Sequence, residues 1–261
     1  MSAFINAEYG LFAAGLAALF LAMASGLLQA GLPRLRIGRL AFPAGIGASG
    51  LFLLSATARS LGAGRLPFAS MYEFGLLFIL ALQAIWLAFE LARKPAVYRL
   101  VLLPFNFVLA GVMLLFFQES RPLMPALQSA WLFIHVLTAV LAYGLFAVGA
   151  VLAVAWLIKP DDDGLWRTMD RLVSLGFPFL SLLIVSGAVW AQYAWGSFWR
   201  WDPKETWSLI TWLVYLIYLH GARVRRWRPR SCAWFAILGF VAVLFTFFGV
   251  NLLLSGLHSY T

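Results

Sequence analysis

Eight times along its 261 residues the chain runs for the length of a membrane-crossing helix with almost no charge. The segments cover roughly 9–31, 41–62, 71–92, 100–118, 129–158, 172–193, 206–222 and 233–257, and a helix needs about 20 apolar residues to span the hydrocarbon core. Inside a bilayer no water satisfies backbone N–H and C=O groups, so apolar runs of this length must close their own hydrogen bonds as helices. The pattern predicts an all-α, polytopic membrane protein with about eight transmembrane helices, forming a single membrane domain over residues 1–261. Composition agrees. With 63% hydrophobic and 11% charged residues, the chain lacks the polar surface of a water-soluble globule, in which about 25% of residues are charged. Met1–Gly10 has no basic n-region of a cleavable signal, so the first apolar run is read as a retained helix. A single cysteine, Cys232, excludes an internal disulfide, a CxxC redox pair and a cysteine-built metal site.

The formal net charge of +9 resolves into an orientation. One alternating set of loops carries Arg34, Arg36 and Arg39, then Arg93, Lys94 and Arg99, then Lys159, Arg167 and Arg171, and last Arg223, Arg225, Arg226, Arg228 and Arg230. The other set and its helix ends carry Arg59, Arg65, Arg121, Arg200 and Lys204. Basic loops remain cytoplasmic, which puts the first set inside and both termini outside, as an even number of spans requires. The Arg223–Arg230 run abuts a span and follows the same pattern, so no nucleic-acid partner is expected. The acidic run Asp161–Asp163 reads as a solvated turn.

Tryptophan is concentrated in one place. Six of the twelve, Trp190, Trp195, Trp199, Trp201, Trp207 and Trp212, fall between the outer end of segment six and the start of segment seven. An interfacial aromatic belt explains tryptophans at helix ends. It does not explain Trp195-Gly196-Ser197-Phe198-Trp199-Arg200-Trp201-Asp202-Pro203, where they crowd a loop. Such a loop offers flat faces and indole N–H donors beside an apolar phase, a surface suited to a large, planar, amphipathic ligand. Two of the three histidines, His135 in segment five and His258 at the end of segment eight, fall at the same outer level. Two neutral imidazoles beside an aromatic platform could ligate a haem iron from opposite sides. His220 follows Thr206 by 14 residues, about 21 Å deeper at 1.5 Å per residue, so it cannot join them. It either contributes one ligand to a second, deeper site or interacts with the helix C-terminus. Asp202 is equally placed to orient the loop or to cap the helix that opens segment seven.

Across these residues the sequence resembles the CcsA (ResC) family, the multi-span subunit of the system II cytochrome c synthase, within the wider group of WWD haem-handling proteins. The resemblance runs from Ser186-Gly187-Ala188-Val189-Trp190-Ala191 through Trp195 to Trp207, on to Tyr218-Leu219-His220, and to Gly256-Leu257-His258-Ser259-Tyr260. It defines a WWD region at about 186–220. In the first half, Pro67-Phe68-Ala69-Ser70-Met71-Tyr72-Glu73 departs from the family's Pro-x-Ser-Asn-x-Tyr-Glu at Ala69 and Ser70, and Glu73 also reads as a helix N-terminal carboxylate.

The resemblance implies that His135 and His258 flank an outer haem b, that Trp195, Trp199, Trp201 and Asp202 belong to the platform, and that His220 helps hold haem within the membrane. It also implies a CcsB (ResB) membrane partner, an apocytochrome c substrate with Cys-x-x-Cys-His, and thioredoxin-like thiol reductants. The implied activity is that of a cytochrome c synthase subunit forming thioethers between haem and cysteine, with no side chain of this chain acting as nucleophile. Arg200 and Lys204 are candidates for pairing haem propionates. The expected location is the bacterial cytoplasmic or thylakoid membrane, with the WWD loop on the outer face. Two alternatives stay open: a HemX-like haem-binding or regulatory protein without ligation activity, and a transporter of an unrelated solute, for which Gln83, Asn106 and Asn251 would be the mid-membrane polar residues.

Overall fold

The structure is a computed structural model that describes residues 2–120 and 122–254. Long helices account for nearly all of them: α1 (Ser2–Gly31), α2 (Ala41–Ala63), α3 (Met71–Leu91), α4 (Ala96–Leu114), α5 (Ala130–Ile158), α6 (Asp163–Trp195), α7 (Pro203–Arg223) and α8 (Pro229–Leu244). The last continues through a π-helical turn, Phe245–Gly249, into α9 (Val250–Leu253). No strand occurs among the described residues. Seven of these helical segments are long and apolar enough to cross a membrane, and the chain is a multi-pass integral membrane protein. The remaining long helix, α7, has the length but carries Thr206, Trp207, Ser208, Thr211, Trp212, Tyr215, Tyr218 and His220, whose polar atoms lower its hydropathy.

One boundary differs instructively from the sequence expectation. The α6 helix begins nine residues before the apolar run that announced it, because Asp162 caps it: its Oδ1 accepts the Leu165 N–H at 3.0 Å. The acidic turn is therefore a helix start, and its charges suit the positive end of the helix dipole. Basic residues Arg167 and Arg171, read as loop, lie within α6.

Contacts divide the chain into two compact units, Met1–Pro122 and Leu123–Thr261. In the first, α1 packs on α2, α2 on α3, α3 on α4, and α4 returns to α1, a closed four-helix ring. In the second, α5 to α8 close in the same cyclic order. Helix association in lipid depends on close packing rather than on the hydrophobic effect, and the second unit shows how it is reached. Phe146 of α5 and Tyr215 of α7 stack with centroids 3.6 Å apart and planes at 9°. Gly176 of α6 and Gly239 of α8 leave room for these rings: a Cβ would lie 2.7 Å from Phe146 and 2.5 Å from Tyr215.

One end of the first unit is built on charge. Arg59 of α2, placed by the sequence among the outer loop charges, is only 2% exposed, with Glu73 at 0% and Glu8 at 3%. Its Nε donates to Glu73 Oε1 at 2.9 Å, and Nη1 donates to the Gln118 carbonyl at 2.6 Å and to Glu8 Oε1 at 3.4 Å. Arg65 closes a two-pronged pair on Glu73 at 2.9 and 3.0 Å. Glu73 also completes a capping box with Ser70 at the start of α3, the local role expected for it, and accepts the Ala69 N–H at 2.7 Å. The Ala69-Ser70 stretch is thus tied down by Glu73, whose Oε2 accepts both N–H groups, while Ser70 caps α3 in return.

Candidate functional site

Within the second unit, sequential antiparallel packing brings the start of α5, the end of α6 and the start of α7 to one end. His135 lies in the second turn of α5. Its Nδ1 is 2.9 Å from the Leu183 carbonyl of α6, and a carbonyl can only accept, so Nδ1 carries a proton; in the neutral ring the lone pair is then on Nε2. Trp190, one turn beyond Gly187 on α6, stacks on the imidazole with centroids 6.2 Å apart and planes at 20°. Trp190 is 2% exposed and meets Trp195 edge-on at 4.8 Å. An imidazole with a fixed ring and a basic Nε2 is the usual form of a histidine that ligates iron, so this donor fits the expected haem chemistry.

The loop after Trp195 is organised by an acid that sequence reasoning had given no role. Gly196 ends α6 in the left-handed conformation, φ 74°, where the absence of a Cβ removes the steric penalty. Trp201 is also left-handed, φ 59°, an arrangement that costs a non-glycine residue on the order of 1–3 kcal/mol. Glu205 compensates: its Oε2 accepts the N–H groups on both sides of Trp201, from Arg200 at 2.8 Å and from Asp202 at 3.1 Å. The Arg200 guanidinium donates back to the Trp195 carbonyl, and Thr206 Oγ1 to that of Trp201 at 3.4 Å. The indole of Trp201 is left 68% exposed, edge-on to Trp199 at 5.7 Å. The signal was readable in principle. Asp202 and Glu205 are three residues apart at a helix start, the spacing of a capping box, and the structure contains that box. Asp202 accepts the Lys204 N–H at 3.0 Å, so it caps α7, the second of the two roles its position allowed. Burial pulls the half-buried Lys204 ammonium down to about 8 against the opposing Asp202 carboxylate.

Glu205→Ala is expected to release this loop. Two N–H groups lose their acceptor and the cap is broken, about 1–2 kcal/mol, or about 10-fold in the population of the open loop. Limited proteolysis in detergent reads the change as faster cleavage between 196 and 203; an unaltered rate would show that Glu205 does not hold the loop.

At the start of α7, Trp207 packs on Phe245 of the π-helical turn at 4.1 Å, and deeper in, Trp212 Nε1 donates to Ser181 Oγ at 2.9 Å. These two tryptophans serve helix packing, unlike Trp199 and Trp201. His220 lies at the opposite end of α7 and is exposed, so the structure separates it from His135. Nearby, Asp170 of α6 accepts from Tyr218 Oη at 2.9 Å and from Arg223 Nη2 at 2.8 Å. This clamp holds the last turn of α7 and raises the Arg223 guanidinium pKa. His258 lies outside the described residues. Of the mid-membrane polar candidates, Gln83 and Asn106 are buried in the first unit, and Asn251 donates its amide to the Phe247 carbonyl four residues earlier.

Residues 44–258 match the family described as Cytochrome C assembly protein. The chain belongs to the CcsA family of cytochrome c assembly proteins. CcsA of Trieres chinensis is 34% identical over 249 residues, 77% of this chain and 80% of that protein. CcsA of Chlamydomonas reinhardtii is 45% identical over 155 residues, 55% of this chain and 44% of that protein. The solved structure of a cytochrome c heme lyase, CcmF, matches with a TM-score of 0.76 at 22% identity, over 94% of this chain and 46% of that one. This last likeness is one of fold. The chain spans less than half the length of the Chlamydomonas CcsA and of the CcmF chain.

Proposed function

We propose that this cytochrome c biogenesis protein carries haem b across the membrane and presents it on the outer face for covalent attachment to apocytochrome c. The observation that carries the reading is the seating of His135. Its Nδ1–H is committed to a backbone carbonyl, leaving Nε2 basic, and its ring is stacked on Trp190 beside the tryptophan loop. In this reading His135 and His258 take opposite faces of the outer haem iron, and Trp195 at the end of α6 faces the macrocycle together with Trp199 and Trp201 of the loop that Glu205 holds and the Asp202 cap closes. The exposed Arg200 and the half-buried Lys204 supply positive charge for the propionates. His220 holds haem at the deeper, cytoplasmic level, with a second ligand from a CcsB-type subunit. Both termini lie outside.

The chemistry asks no nucleophile of this chain. Each substrate thiol adds across a haem vinyl group: the sulfur bonds to one vinyl carbon, the thiol hydrogen ends on the other, and a thioether results. The contribution of the protein is to orient the vinyl groups toward the two cysteines and to exclude water. Thioredoxin-like reductants keep those cysteines as thiols.

The test is to purify the full chain with and without a CcsB-type partner and record visible spectra, with holocytochrome c formation measured in parallel. Haem with a low-spin, two-imidazole spectrum together with holocytochrome formation is the expected result. Absence of haem from both preparations would overturn the proposal, and haem without ligation in the presence of the partner would favour the HemX-like alternative.

A further inference from the structure

Glycine at position 187 is locally unfavourable. It lies well inside α6, where a glycine costs about 0.5–1 kcal/mol relative to alanine, and its φ is not in the left-handed region. The compensation lies across the helix interface. A Cβ at residue 187 would sit 2.7 Å from Nδ1 and 2.8 Å from Cε1 of His135, on the ring edge whose Nδ1 meets the Leu183 carbonyl. These distances are shorter than real Cβ contacts, so the ring would have to move. The ring also meets Trp190, which is buried and cannot give way cheaply.

We propose that Gly187 is a positioning residue for His135: the bare helix surface there lets the imidazole reach the Leu183 carbonyl, which fixes the Nδ1–H tautomer and keeps the lone pair on Nε2 for iron. The inference rests on the reading of His135 as a haem ligand and extends it to the residues that prepare that ligand. In α-helical register the Leu183 carbonyl is also the acceptor for the N–H of residue 187 itself. The imidazole therefore bonds to backbone at the same turn that lacks a side chain. Ser186 Oγ, buried beside it, donates chiefly to the Leu182 carbonyl at 2.6 Å and stands 3.2 Å from that of Leu183. The Leu183 oxygen thus takes its closer side-chain contact from the histidine, at 2.9 Å, and a longer one from the serine. Hydrogen bonds of this kind behind a ligating histidine set ring orientation and basicity, and losing one typically costs 10–100-fold in metal affinity.

Two readouts separate positioning from mere structure. The first needs no haem: with histidine labelled by nitrogen-15 in the full chain, His135 is expected to show the Nδ1–H tautomer, and Gly187→Ala to lose it. A wild-type chain with the proton on Nε2 overturns the proposal whatever the variants do. The second is haem retention beside the partner subunit, expected to fall about 10-fold or more in Gly187→Ala, to recover when free imidazole is supplied, and to show no additional loss in a His135→Ala background. Wild-type retention in Gly187→Ala overturns the proposal. So does a loss that imidazole fails to repair and that persists equally without His135, since that pattern belongs to damaged packing. If the tautomer shifts as expected while His135→Ala retains haem with an unaltered spectrum, Gly187 still positions the ring and it is the ligand role of His135 that fails.

Discussion

Arg59→Leu is expected to destabilise the first unit by about 3–5 kcal/mol, the usual cost of removing one partner from a buried ion pair. Glu8 is buried at 3% exposure with Arg59 as its ion-pair partner, and Glu73 would keep Arg65 but lose the Nε contact. The Gln118 carbonyl would lose its 2.6 Å donor as well. The size of the effect comes from the environment: a carboxylate in a water-poor interior must find a partner or take up a proton. In detergent, the melting temperature is expected to fall by about 10 °C or more. A double variant, Glu8→Leu with Arg59→Leu, should recover part of the loss by removing the stranded carboxylate, since apolar replacement of a whole buried pair is often close to neutral. Unchanged melting in Arg59→Leu would show that the network contributes nothing to stability. Arg59→Lys should fall between, because an ammonium offers no planar fork to reach Glu73, Glu8 and a carbonyl together.

His135→Ala carries the second large expected effect, on haem rather than on stability. The imidazole is half-buried at one end of the second unit, and its truncation is expected to leave the helices folded, which the helical circular-dichroism signal of the variant checks. Haem at the outer level should be lost by more than the 10–100-fold typical of disturbing a residue behind a ligand, with holocytochrome formation falling in step. Free imidazole should restore part of both by occupying the vacated coordination position. His220→Ala should behave differently: under the proposed function it lowers haem bound at the far end of α7 while leaving the His135 tautomer as it is, because the two residues lie at opposite ends of the unit. Identical spectra for His135→Ala and the wild-type chain would remove His135 from the ligand set.

Much of the molecule was readable residue by residue. Apolar runs of bilayer length can only be helices, so seven of the eight long helices followed from hydropathy alone. The one helix of low hydropathy, α7, was legible because its charges stop at Lys204 and Glu205 and resume at Arg223. Local spacings were equally informative. Ser70 with Glu73 and Asp202 with Glu205 are each three residues apart at a helix start, and both pairs form capping boxes in the structure, because a helix places such residues next to each other whatever surrounds it. The gathering of tryptophans around 190–212 likewise marked one end of the bundle.

Interfaces between helices were another matter. Glu8, Arg59 and Glu73 look in sequence like three separate charges near helix ends, and only the closing of the α1–α4 ring turns them into one buried network. The tautomer of His135 depends on a carbonyl 48 residues away and on a glycine whose missing side chain has meaning only once α6 lies against α5. Glu205 was visible as a helix-start acid, but its grip on both sides of Trp201 follows from the left-handed turn at that residue. Periodicity and spacing act along one helix and survive in any environment. Which side chains meet across helices is decided by packing, since in lipid the alternatives differ by the fit of surfaces and the satisfaction of buried polar groups, and neither exists until the helices are assembled.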